Sequence, residues 1–102
     1  MFSYPGGGIG GRHTTMGTEA ARLARMSALR DRHAGPVLRL LTDLSGVDAA
    51  EALLDETMQR ARRHIDHLDV APEQQQRWLF TVARRVAIKA AQERAARHGT
   101  PR

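Results

Sequence analysis

The sequence predicts an all-α protein, a compact bundle of three to four helices behind a Gly-rich N-terminal tail. Three observations lead there. Apolar residues recur at steps of three and four, the spacing of one helix face, and no stretch alternates as a half-buried strand does. The apolar share is 41% yet includes only four aromatic residues, so a core must come from Leu, Val, Ile, Ala and Met, which suit helix packing better than a β-sandwich. The chain has 102 residues, enough for one small domain and not for two.

Residues 1–17 are expected to form a flexible tail. They hold six of the nine glycines, with Pro5 among them, and bury too little to offset the entropy of ordering. The helical domain is drawn at 18–98, with 99–102 as a C-terminal tail. Thr18 reads as an N-cap, with Glu19 placed well for the helix dipole. Leu23, Met26, Ala28 and Leu29 supply a partly apolar face as far as Arg32. His33-Ala34-Gly35-Pro36 reads as a break, with Pro36 opening a second helix that carries Val37, Leu38, Leu40, Leu41 and Leu44 and stops at Ser45-Gly46.

Asp48, with Glu51 three residues on, reads as a capping-box variant at the start of a third helix. Its stripe is Ala50, Leu53, Leu54, Thr57, Met58, Ala61, Ile65 and Leu68, and it should end near Asp66 to Leu68. Pro72 bars helix through the middle of the connector Asp69–Gln76, so a fourth helix should start around Glu73 to Gln76. Leu79, Val82, Ala83, Val86, Ala87 and Ala90 make its stripe, and Gly99 and Pro101 stop it. Leu53, Leu54, Met58, Leu79, Val82 and Val86 should be buried where these two helices cross.

The net charge of +5 and a pI near 11.2 attract polyanions, but charge alone does not separate nucleic acid from anionic membrane or plain solubility. The absence of cysteine excludes disulfides, thiol catalysis and cysteine-ligated zinc. No apolar run approaches the roughly 20 residues of a membrane span. The opening MFSYPGGGIGG has no secretory pattern, so the expected compartment is the cytoplasm and no membrane partner is expected. There is no nucleophile elbow, phosphate-binding Gly-rich loop or HExxH. Asp55 and Glu56 are adjacent, and neighbours on a helix diverge. No catalytic residue, enzyme activity or cofactor is therefore expected. His64 and His67 stand three apart, with Asp66 and Asp69 near, but a dedicated metal site needs three or four converging ligands. They read as structural or surface histidines, and no metal site is expected.

The stretch RWLFTVARRVAIKAAQERAAR, residues 77–97, carries Arg77, Arg84, Arg85, Lys89, Arg94 and Arg97 against the single acid Glu93. A merely soluble helix interleaves acids at four-residue steps, and this one does not. The imbalance points to a phosphate-facing surface. Trp78, at the start of this helix, reads either as a half-buried core residue or as an aromatic beside a nucleic-acid path, and one ring can serve both.

The two long helices together resemble region 2 of the extracytoplasmic-function sigma factors of bacteria. The family's A-E-D-L-V-Q-E-T-F-x-R-A-W-R appears here as Ala50-Glu51-Ala52-Leu53-Leu54-Asp55-Glu56-Thr57-Met58-Gln59-Arg60-Ala61-Arg62-Arg63. Its W-L-F-T-I-A-R-N-L-A-I-D appears as Trp78-Leu79-Phe80-Thr81-Val82-Ala83-Arg84-Arg85-Val86-Ala87-Ile88-Lys89. The upstream LRDRHAGPVLRLLTDLSG is similar to the family's opening helices, so the resemblance covers about Met26 to Arg97.

The resemblance implies a domain that binds core RNA polymerase at the β′ clamp helices and holds the non-template strand of the promoter's minus-ten element. Glu51, Asp55, Glu56, Gln59 and Arg62 would face the polymerase. Arg77, Trp78, Arg84, Arg85, Lys89 and Gln92 would face DNA, with the loop Glu73–Gln76 beside them. An anti-sigma factor is a further candidate partner. The departures are Ala52 for Asp, Asp55 for Gln, Arg85 for Asn and Lys89 for Asp. Ala52 and Asp55 lie in the polymerase-facing segment; Arg85 and Lys89 make the second helix more basic, and since Arg donates and cannot accept, they favour phosphate grip over base reading. Nothing in the chain resembles the family's second helical domain, region 4. The alternative is a sigma-derived interaction module that docks on polymerase or an anti-sigma factor without reading a promoter.

Overall fold

Where the sequence suggests a break at His33–Pro36, the chain forms one uninterrupted helix. In the computed structural model the backbone is described for residues 6–98 and the side chains for residues 18–97. α1 (Gly6–Ser45) runs through Pro36, which removes one donor from its ladder. Gly35 eases the passage. A proline ring normally clashes with the Cβ of the residue before it, and glycine has none. Packing does the rest. Leu29, His33, Val37 and Leu41 recur every four residues across the proline, each at 2% exposure or less. Thr18 also lies inside α1, so it is no N-cap, and the boundary drawn between residues 17 and 18 falls within the helix. Residues 1–5 and 99–102 of the expected tails lie outside the described residues.

Gly46 alone connects α1 to α2 (Val47–Arg63). Its N–H donates to the Thr42 carbonyl at 2.8 Å, and it then turns with φ 90° and ψ 159°, a region that is essentially glycine's own. Asp48, expected as the cap, instead sits in the first turn of α2, where its charge suits the dipole; Gly46 holds the cap position. α2 buries Ala50, Leu53, Leu54, Thr57, Met58 and Ala61. Thr57 is compatible with the core because its hydroxyl donates to the Leu53 carbonyl at 2.8 Å.

α2 stops at Arg63, short of the expected end. The chain tightens into a 3-10 turn (Ile65–Leu68) that buries Ile65 and Leu68. α3 (Pro72–His98) starts on Pro72 itself, since the first helical position needs no N–H donor. The expected loop at Glu73–Gln76 is thus the first turn of α3. Leu79, Val82, Ala83, Val86 and Ala87 make its buried stripe.

The three helices pack pairwise around one core. All six residues expected at the crossing of the last two long helices, Leu53, Leu54, Met58, Leu79, Val82 and Val86, are buried in this core. Arg22 and Arg25 of α1 reach Asp66 in the 3-10 turn at 3.1 and 3.4 Å, as expected where α2 runs back antiparallel along α1. These exposed pairs contribute about 0–1 kcal/mol each. Among the described residues no buried side-chain polar atom lacks a hydrogen bond, and no helix is long and apolar enough to cross a membrane.

Candidate nucleic-acid interface

The last two turns of α2 place Arg60 and Arg63 on the flank that faces α3. The 3-10 segment adds His64 and His67. From the other side α3 offers Trp78, Val82 and Arg85, spaced four and three residues apart and so on one stripe. Together they line an open groove of about 710 Å³. Buried Val82 forms its floor.

Its electrostatics are one-sided. Arg60 is matched by Glu56 at 3.0 Å. Arg63 and Arg85 have no acidic partner within ion-pair distance among the described residues. Three rings make a row along the same groove. His67 meets His64 edge-on at 6.3 Å between centroids, and His64 meets half-buried Trp78 edge-on at 5.7 Å. Trp78 is therefore half-buried, packed edge-on against His64, and lines the groove. Such a groove can hold phosphates on its guanidinium groups and present ring surface to bases. Among the described residues, no three histidine, cysteine or carboxylate side chains stand together as a metal site would need.

The structure brings only part of the expected DNA set together. Trp78, Arg85 and Gln92 follow one another at seven-residue steps, with exposed Lys89 beside them. Arg77 and Arg84 lie on a neighbouring line about 100° round the helix. Arg77 borders two further hollows of about 400 Å³, one with Arg32, His33, Pro72, Glu73, Gln76 and Phe80, the other beside Trp78 and Val70. Arg60, Arg63, His64 and His67 were not expected in the DNA-facing set. Their signal was present as R-x-x-R-H at the end of α2, but which helix that flank faces is a matter of packing.

The expected polymerase-facing set divides as well. Glu51, Asp55, Gln59 and Arg62 form an exposed ridge at steps of four, four and three, and Arg62 also borders a hollow with Glu19, Arg22, Leu23 and Met26 of α1. Glu56 is half-buried on the groove flank, held by Arg60.

Fold and site together define a small, basic, all-helical domain with a ringed cationic groove. Over 74 residues, 71% of this chain, it is 40% identical to the ECF RNA polymerase sigma factor SigL of Mycobacterium tuberculosis, equally in the Erdman, CDC 1551 and H37Rv strains. The chain is thus a homologue of extracytoplasmic-function sigma factors over a segment the size of their region 2. It spans about two fifths of the length of these curated relatives, 41%. No family model matches the chain, and no solved structure does.

Proposed function

We propose that the chain is a sigma region 2 domain that docks on core RNA polymerase and holds the melted minus-ten strand of a promoter, as a binding domain and not an enzyme, in the cytoplasm. The observation that carries this reading is the groove between α2 and α3, where Arg60, Arg63 and Arg85 surround the row of His67, His64 and Trp78. Phosphates of a single strand run along the arginines, and bases meet the exposed ring edges. Arg77, Arg84, Lys89 and Gln92 extend this surface along α3. The outward ridge of α2, Glu51, Asp55, Gln59 and Arg62, faces the β′ clamp helices. Arg85 stands in the groove where the family pattern has Asn, so grip outweighs base reading and sequence preference is modest.

The same substitution, with Ala52 and Lys89, favours a second reading: an interaction module that docks on polymerase or an anti-sigma factor without reading a promoter. Titrating a labelled non-template-strand oligonucleotide and its duplex at two salt concentrations, beside capture of core RNA polymerase, separates the two. The expected result is single-strand binding whose log K falls with log salt by about 0.7 per phosphate contact, together with capture. Indifference to salt, or preference for duplex, removes the DNA part and leaves the module. Failure to capture core polymerase removes the docking part.

A further inference from the structure

The core contains one ring that is polar. His33 on α1 is 2% exposed, yet both its nitrogens have partners on α3. Nε2 lies 3.1 Å from the Gln75 side-chain oxygen, and Nδ1 lies 3.2 Å from that of Gln76. Gln75 is fixed at its other end as well, because its amide nitrogen donates to the Leu68 carbonyl at 2.9 Å. That bond turns the Gln75 oxygen toward the ring, so His33 Nε2–H donates to it. A neutral imidazole then accepts at Nδ1, and Gln76 meets it through whichever end of its amide the ring requires. The result is a clasp across three elements: the middle of α1, the end of the 3-10 turn and the first turn of α3.

We propose that His33 is a positioning residue for the DNA-facing end of α3, acting through Gln75 and Gln76. This rests on the DNA reading above. Apolar packing alone would hold α1 to α3 without fixing rotation, since a greasy contact is non-directional. Three directed hydrogen bonds fix the rotation of the first turn of α3. The next two residues after the clasp are Arg77 and Trp78. Arg77 shares a hollow with Gln76, His33 and Arg32, and Trp78 stands in the cationic groove. Rotating that turn swings both away from a strand lying along α3.

The test uses the full chain. Trp78 is its sole tryptophan, so acrylamide quenching of its fluorescence reports on this turn without DNA. His33→Leu fills the same buried place with an apolar side chain and removes both hydrogen bonds to α3. At temperatures where it is folded, Trp78 should become more quenchable, and the salt dependence of single-strand binding should flatten by about 0.7, one phosphate contact. Placed on Arg77→Ala, His33→Leu should flatten it no further, because both act through one contact. His33→Gln, which restores a donor toward Gln75, should recover both readouts. If His33→Leu does not fold, Gln76→Ala cuts one arm and should shift both readouts in the same direction. A lower melting temperature with wild-type quenching and salt slope overturns the proposal and leaves His33 a core residue only. Altered quenching, with no salt-dependent single-strand binding by the unaltered chain, overturns the DNA reading and leaves the clasp standing.

Discussion

The two flanks of α2 are built from the same helix and carry different chemistry. The outward ridge mixes signs, with Glu51 and Asp55 near the front and Gln59 and Arg62 behind, all exposed. The flank toward α3 is almost purely cationic, and its one acid, Glu56, is held by Arg60. A mixed ridge suits a protein partner, where complementary charges set register and encounter rate. A one-signed groove with rings suits a polyanion. The contrast shows that charge on a helix is informative only once the faces are separated. Averaged over α2, the two chemistries cancel.

The largest effect should come from removing what both flanks share. Leu79 is fully buried in the core, and Leu79→Ala should cost about 2–5 kcal/mol, the range for buried leucines, and lower the melting temperature. An unchanged melting curve would mean that α3 is misphased and that the two flanks are wrongly assigned.

Replacing Arg63 and Arg85 together with Ala should strip the groove and spare the ridge. Single-strand affinity should fall, and the salt dependence should flatten by about 1.4, two contacts at about 0.7 each. Capture of core polymerase should persist. Asp55→Lys is the mirror experiment, and it should weaken polymerase capture by about 1 kcal/mol, the upper value of an exposed ion pair, while oligonucleotide binding is unchanged. If either substitution moves both readouts equally, the flanks are not separate surfaces. Asp55 is a better probe of the ridge than Glu56, whose reversal would also break the pair with Arg60.

Glu56→Gln should have the smallest effect. It gives up an i,i+4 pair worth about 0.3–0.5 kcal/mol of stability and releases Arg60 into the groove. Single-strand affinity should rise slightly at low salt, where an added positive charge is least screened. A fall would indicate that Arg60 needs Glu56 to hold its guanidinium in place.

The sequence carried the helix phases well and the helix ends poorly. Leu53, Leu54, Met58, Leu79, Val82 and Val86 were legible as one core because a 3.6-residue period repeats often enough to outvote any single residue. Pro36 and Asp48 misled for the same reason, since each follows a local rule that packing overrode. The stripe Leu29, His33, Val37 and Leu41 runs across the proline, and a histidine within it looks polar until its two partners, forty-odd residues away, are in place. At the site, Trp78 and Arg85 were legible from composition and resemblance. Arg60, Arg63, His64 and His67 were not, because their role depends on which neighbour α2 turns its flank toward.

Gly46 has a consequence in time as well as in space. One residue forms the whole passage from α1 to α2, and only Asp69 to Ala71 separate the 3-10 turn from α3. Closing loops this short costs little chain entropy, and each helix meets its neighbour in sequence early. Helical proteins dominated by such local contacts fold in roughly microseconds to milliseconds. Trp78 sits just past the joint between the 3-10 turn and α3, so its fluorescence after a temperature jump should time the docking of α3.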